Sequence, residues 1–130
     1  MRYAMKTIVM LLGLVFLALG LRYLIDPAGM GEQFGVRPIA ANGFATLRAD
    51  MFALFGVCGG AALLGGWKND RKLLLVAVAV CLFALTGRFI SYLIEGASTG
   101  MMQAVAVEVI AVLVLLTASR VLPEKPDEQR

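Results

Sequence analysis

The sequence predicts an all-α membrane protein, a polytopic four-helix bundle with a short interfacial helix between the first and second spans. Composition is the first reason, because 60% of the 130 residues are hydrophobic, 16% are charged and the mean hydropathy is +0.83. Soluble domains are about 45–50% apolar and about 25% charged, and a short chain cannot bury such an excess. The second reason is that the apolar residues form long runs separated by polar connections. We therefore expect the lipid bilayer to surround the chain.

The apolar runs define four spans, at about residues 7–25, 43–67, 73–94 and 101–119. The length of each span is close to the ~20 residues that a helix needs to cross a hydrocarbon core of ~30 Å. The first span follows Arg2 and Lys6, as a signal peptide would, but no small-residue cleavage site precedes Asp26, so we expect a retained helix. Residues 1–119 are predicted to form one transmembrane domain, and residues 120–130 a charged, solvated tail.

The connection after the first span contains signals for a short helix at about residues 27–34. Asp26 can cap free backbone N–H groups, and Pro27 tolerates the first helical position. Gly35 can adopt the left-handed conformation that ends a helix. Asn42 is predicted to cap the second span in the same way.

The basic residues outside the spans predict the orientation. If the helices alternate, only Arg37 lies in a loop on one side, while all the others fall on the opposite side. The positive-inside rule then places both termini in the cytoplasm. We expect no nucleic-acid partner, because no basic stripe with interleaved aromatic residues is present. The basic residues on the cytoplasmic side are Arg2, Lys6, Lys68, Arg71, Lys72, Arg120, Lys125 and Arg130.

Several kinds of chemistry lack the residues they need. The chain has no histidine and two cysteines, Cys58 and Cys81, each alone in an apolar run. The patterns for zinc binding, for Cys-His or Ser-His nucleophiles and for histidine ligation of haem are therefore absent. We predict no metal and no cofactor, and we expect both thiols to be inert, buried hydrophobic groups rather than a disulfide or redox pair.

Charged residues within the spans are the strongest functional signal, because an arginine or aspartate at a helix centre costs about 2.5–3.5 kcal/mol on insertion. Arg88 lies about six residues before the end of the third span, and Glu108 about seven residues after the start of the fourth. At ~1.5 Å per residue both lie about 10 Å below the outer ends, which permits an ion pair. The other charged residues in this outer half are Arg22, Arg48 and Asp50, and the polar residues at similar depth are Gln103, Thr86, Ser91 and Asn42.

Two interpretations of this cluster remain open. A structural network would pair Arg88 with Glu108, and Asp50 with Arg22 or Arg48, because unpaired charges are unfavourable in lipid. A functional site would bind a lipid-like or quinone-like molecule, or a partner membrane protein. We predict a non-catalytic binding module with the candidate residues Arg22, Arg48, Asp50, Arg88, Gln103 and Glu108.

Two alternative functions use the same charges. An oligomeric transporter would carry a small solute or couple its flux to protons. A membrane enzyme would use Asp50 and Glu108 for acid and base chemistry, although no nucleophile, metal cage or cofactor fingerprint accompanies them. We therefore assign no catalytic residue.

Gly56 and Gly60 form a G-x-x-x-G pair in the second span. Small residues let helix backbones approach closely in lipid, so we predict that this face packs against another helix. Packing within the bundle is favoured over a face for a homo-oligomer.

Three short segments resemble those of a known group of proteins. Residues 47–52 read LRADMF, residues 85–91 LTGRFIS and residues 103–108 QAVAVE. Over about residues 11–118 the chain resembles the bacterial four-helix membrane proteins of the domain-of-unknown-function 4345 family, which are distantly DoxX-like. The resemblance implies an inner-membrane bundle and suggests quinone-linked partners. It marks Arg48, Asp50, Gly87, Arg88 and Glu108, of which we assign Gly87 to helix packing.

Overall fold

Five helices build the part of the chain that this computed structural model describes, which is residues 1–122. Helix α1 covers Arg2–Ile25, α2 Pro27–Gln33, α3 Ala41–Lys68, α4 Arg71–Glu95 and α5 Thr99–Val121. Helices α1, α3, α4 and α5 are long and apolar enough to cross a membrane. The predicted all-α four-helix architecture is confirmed, and the chain has the build of a multi-pass membrane protein. Most of the predicted tail, residues 123–130, lies outside the described residues.

The long helices extend beyond their predicted spans. Helix α1 begins at Arg2 because its polar first turns bind neighbouring helices and so belong to the fold. The Arg2 guanidinium donates a hydrogen bond to the Leu122 carbonyl at 2.7 Å, and the Lys6 ammonium donates one to the Trp67 carbonyl at 2.7 Å. Helix α5 includes Arg120, the first residue of the predicted tail, and ends at Val121.

Side-chain caps begin two of the spans. The Asp70 carboxylate accepts a hydrogen bond of 2.8 Å from a backbone N–H in the first turn of α4, and the Ser98 hydroxyl accepts one of 3.3 Å at the start of α5. The cap predicted at Asn42 is wrong. Asn42 lies inside α3, which begins at Ala41 and has no side-chain cap.

The short helix α2 forms as predicted. The Asp26 carboxylate accepts a hydrogen bond of 2.9 Å from the Gly29 N–H, and Pro27 occupies the first helical position. Gly35 follows the helix with a φ of 73°, in the left-handed region that glycine reaches without strain. Met30, which is buried, fixes α2 against the end of α1.

The four long helices form a square. Helix α1 packs against α3 and α5, and α4 packs against the same two helices, so that α1 and α4 occupy one diagonal and α3 and α5 the other. The core lies between them and consists mainly of small and aliphatic side chains. Its most deeply buried members are Val9, Ala62, Leu74, Ala77, Ala111, Leu115 and Ala118.

Helices α1 and α3 approach most closely at Gly13 and Gly59. A Cβ atom at Gly13 would lie 2.8 Å from the Gly59 carbonyl oxygen, and one at Gly59 would lie 2.7 Å from the Gly13 carbonyl oxygen. An added Cβ at the predicted packing residues Gly56, Gly60 or Gly87 would meet no heavy atom within 4 Å, although the Gly56 backbone N lies 3.5 Å from a Cβ built at Gly20 of α1. The tight contact with α1 is made by Gly59 instead, because spacing along the chain does not reveal which face of α3 meets α1.

Burial is uneven along the hairpin of α4 and α5. The buried residues of α4 end at Cys81, and those of α5 begin at Ala111. No residue between them, 82–110, is buried, and this stretch includes the predicted outer half of both helices. The bundle is therefore closed at the end where α1 begins and open at the end where α4 turns into α5.

Cys58 and Cys81 meet inside the closed half. Their sulfur atoms lie 3.6 Å apart, and both thiols are free and buried. The two residues lie 23 positions apart on different helices, a separation that does not by itself predict contact. Their contact packs α3 against α4 where the open half begins.

Substituting the packing glycines tests this helix arrangement. We expect Gly59→Ala to destabilise the protein by about 1–3 kcal/mol, because the methyl group would overlap the backbone of α1. Gly60→Ala is the matched control, since its methyl group enters open space and alanine raises helix propensity by about 1 kcal/mol. Unfolding of both variants in the same detergent would measure the difference. A larger loss of stability for Gly60→Ala would contradict the arrangement.

Candidate functional site

The candidate site is centred on an ion pair between α4 and α5. The Arg88 Nε atom lies 2.9 Å from Oε1 and 3.0 Å from Oε2 of Glu108, and the Arg88 Nη2 atom lies 2.9 Å from Oε1. The pair expected from the depths of the two residues is therefore present. A guanidinium that meets a carboxylate through two of its nitrogens gives both strength and a fixed orientation.

The two partners differ in exposure. The Glu108 side chain is 14% exposed and the Arg88 side chain is 30% exposed. A guanidinium has five N–H donors, and within residues 1–122 all hydrogen bonds of Arg88 go to Glu108. The carboxylate is thus held inside the hairpin, while the Nη1 group of Arg88 remains available to a further acceptor.

Two clefts flank Arg88 in the open half of the hairpin, the first almost wholly apolar and the second of mixed polar and apolar character. The first has a volume of about 410 Å³ and the second of about 420 Å³, both within the usual ~300–1,000 Å³ of small-molecule sites. Arg88 and Met101 border both clefts. The first cleft is otherwise lined by Leu85, Phe89, Tyr92, Met102 and Val105, and the second by Phe83, Ala84, Gly87 and Ser91.

Arg22 on α1 and Arg48 and Asp50 on α3 line neither cleft. Arg48 and Asp50 lie in a π-helical segment, Leu47–Met51, inside α3. The Arg48 Nε atom donates a hydrogen bond of 3.1 Å to the Leu24 carbonyl, which α1 leaves unpaired at its C-terminal end. Arg48 thus joins α3 to the end of α1.

The second ion pair expected from the sequence is not formed. Within residues 1–122 the ion pairs are those of Arg88 with Glu108 and of Arg37 with Glu32, so Asp50 pairs with neither Arg22 nor Arg48. The π-helical segment contains one extra residue per turn, which rotates the following residues away from their α-helical directions. The charged residues thus share a depth but do not meet as one cluster.

Gln103 does not line either cleft, although its depth matches that of Arg88. It is exposed and lies five residues before Glu108 on α5, a spacing that places the two side chains on different faces. The cleft residues Phe89, Tyr92 and Met101 were not predicted as site residues. The helical spacing of Arg88 and Tyr92 could have indicated the aromatic side of the site, because it puts these two side chains on one face of α4.

A double-mutant cycle tests the energetic role of the ion pair. We expect Glu108→Gln to destabilise the protein by about 2–3 kcal/mol, because the Arg88 charge then stays partly buried without its partner. The double variant Arg88→Gln with Glu108→Gln recovers most of this loss, since two neutral amides replace the charges. Denaturant unfolding in bicelles measures the coupling.

The exposed pair of Arg37 and Glu32 provides the control for this cycle. Their side chains are 81% and 61% exposed, so the same glutamine substitutions should change stability by less than about 1 kcal/mol. Strictly additive losses at Arg88 and Glu108 would show that the two residues do not interact.

No protein-family model matches the chain, and no curated protein and no solved structure matches it significantly. Within residues 1–122, no three histidine, cysteine, aspartate or glutamate side chains are grouped as metal ligands would be. The chemistry assigned to the site rests on its own geometry: a charge-neutralised guanidinium between an apolar cleft and a cleft of mixed polarity.

Proposed function

We propose that the protein is a non-catalytic membrane module that binds a lipid-like or quinone-like molecule in the clefts beside Arg88. The observation that supports this most strongly is the position of the Arg88 and Glu108 pair at the edge of both clefts. The walls of the first cleft accept an apolar body, and the Arg88 guanidinium supplies a hydrogen-bond donor at one fixed point. This combination suits an amphipathic molecule with one polar end.

The charge of the site favours a neutral ligand. Because Glu108 already balances the charge of Arg88, an added anion would meet a nearby carboxylate as well as the guanidinium. A carbonyl oxygen needs only a donor, and the Nη1 group of Arg88 provides one. A quinone or the ester carbonyl of a lipid fits these requirements better than a carboxylate or a phosphate does.

The walls of the first cleft favour a flat or chain-like molecule. Phe89 is 61% exposed and Tyr92 is 49% exposed, so both rings can cover a ligand without first leaving a core. Met101 and Met102 add flexible side chains that adapt to irregular shapes. Because residues 82–110 contain no buried position, a ligand dissolved in the bilayer would reach the cleft sideways.

The same exposed hairpin supports a second candidate, a partner membrane protein. A helix of a partner, or of another copy of the chain, would cover the apolar residues around the clefts and meet Arg88 there. The enzyme alternative gains no such support, because Asp50 lies on α3 and Glu108 on α5, which are diagonal in the bundle.

The setting of the module is also part of the proposal. The cations Arg2, Lys6 and Lys68 lie at the closed end of the bundle, which supports an inner-membrane protein with that end in the cytoplasm. The resemblance to the four-helix bacterial family is consistent with this setting. Reporter fusions to the first and last residues would test the orientation, since a periplasmic signal from either terminus would refute it.

Binding of a short-chain quinone to the purified protein tests the proposed function. The double variant Arg88→Gln with Glu108→Gln keeps the pair neutral, and we expect it to weaken binding by about tenfold or more. This follows because a hydrogen bond to a charged group contributes about 1.5–3 kcal/mol, and 1.4 kcal/mol is tenfold in affinity. Microscale thermophoresis in a mild detergent measures both constants.

Two further variants sharpen this test. Val105→Trp fills the first cleft without changing any charge and should abolish binding. Arg37→Gln with Glu32→Gln removes the exposed ion pair and should leave the affinity unchanged. Equal affinities for the wild type, the Arg88 and Glu108 double variant and Val105→Trp would refute the site. Native mass spectrometry of the same samples identifies a bound partner protein or a second copy.

A further inference from the structure

A third cavity lies at the closed end of the bundle, away from the two clefts beside Arg88. Its volume is about 290 Å³. It is formed where α1 begins, where α3 gives way to α4 and where α5 ends. Its walls are Arg2, Tyr3, Lys6, Asn69 and Leu122.

Two cations in this cavity are already held in place. Arg2 donates to the Leu122 carbonyl and Lys6 donates to the Trp67 carbonyl, each at 2.7 Å. Long basic side chains lose up to about 2 kcal/mol of conformational entropy when they are ordered, and here the fold has ordered them. A guanidinium has five N–H donors and an ammonium has three, so both retain donors for an incoming group.

The surroundings of the cavity are strongly positive. Lys68, Arg71 and Lys72 lie in or beside the connection that supplies Asn69, and within residues 1–122 none of them forms an ion pair. The one acidic residue of this connection is Asp70, whose carboxylate caps α4 through backbone N–H groups. Among residues 1–122, the cavity therefore has an excess of positive charge and no carboxylate in its walls.

The aromatic residues near the cavity indicate its depth in the membrane. Tyr3 is 88% exposed and Trp67 is 65% exposed, although each belongs to a membrane-spanning helix. Tyrosine and tryptophan concentrate at the level of the lipid headgroups, where one part of the ring is apolar and another is wet. The phosphate groups of the bilayer lie at this level.

We propose that this cavity binds the phosphate group of an anionic glycerophospholipid. Arg2 and Lys6 supply charge-assisted hydrogen bonds to the phosphate oxygens, Asn69 lies within the same wall, and the acyl chains continue along the apolar surface of the bundle. A bound lipid would thereby join the start of α1 to the ends of α3 and α5. Free phosphate offers the same oxygens but lacks the chains.

Lipid binding to the full-length protein in neutral detergent tests this proposal. Three additives are compared by native mass spectrometry and by thermal stabilisation: phosphatidylglycerol, phosphatidylcholine and inorganic phosphate. We expect phosphatidylglycerol to remain bound and to stabilise the protein most. Equal stabilisation by phosphatidylcholine would overturn the proposal, and so would equal affinity for inorganic phosphate, which would indicate a free-anion site.

Substitutions locate the binding. Arg2→Gln and Lys6→Gln should each weaken phosphatidylglycerol binding by about fivefold, the effect expected of one interfacial cation. Arg37→Gln, which removes a cation outside this cavity, should have no effect. Unchanged binding in the Arg2 and Lys6 variants would overturn the assignment.

Folding and binding can be separated in two ways. The charge-preserving exchange of Arg2→Lys with Lys6→Arg should retain binding even if the glutamine variants do not fold. Wild-type affinity should also fall as sodium chloride rises, because exposed charges are screened by salt. Affinity that is independent of salt would contradict the proposed phosphate contact.

Discussion

A guanidinium and a carboxylate within membrane-spanning helices are favourable only when each satisfies the other, because lipid offers neither water nor counterions. Arg88 and Glu108 meet this requirement through contacts of 2.9–3.0 Å. Their pairing joins α4 to α5 at the level of the clefts, which side chains of both helices line. The clefts lie beside this contact, and the contact leaves the Nη1 group of Arg88 as a donor at their edge.

The pair also explains why the hairpin can remain open. In the closed half, α3 is held to α1 by the approach of Gly13 to Gly59, and to α4 by the contact of Cys58 with Cys81. Beyond these contacts no residue from 82 to 110 is buried, although Leu85 still packs against the core, and the ion pair joins α4 to α5 there. The helices therefore pack together at the closed end of the bundle, whereas the open end leaves apolar side chains of α4 and α5 accessible. At the closed end the basic residues hold helix ends through backbone carbonyls.

Depth along a helix could be predicted from the sequence, whereas direction around it could not. Rise per residue is constant, so counting from the turns was sufficient to place Arg88 opposite Glu108. Local chemistry likewise predicted the cap at Asp26 and the left-handed Gly35. Which face of α3 meets α1 depends on the packing of the whole bundle, so Gly56 and Gly60 were chosen instead of Gly59. The π-helical segment that redirects Arg48 and Asp50 has no signature in composition or periodicity.

The central claim is that Arg88 and Glu108 form this pair inside a bilayer, and solid-state NMR in liposomes tests it most directly. Arginine would carry ¹⁵N in the guanidinium and glutamate ¹³C in the carboxyl group, with Arg37→Gln removing the other ion pair found in residues 1–122. We expect a dipolar coupling between the ¹⁵N of the Arg88 guanidinium and the ¹³C of the Glu108 carboxyl group, as direct contact requires. The coupling should be lost in Arg88→Lys, because lysine keeps the positive charge but carries no labelled guanidinium. Absence of this coupling in protein with intact Arg88 and Glu108 would contradict the account.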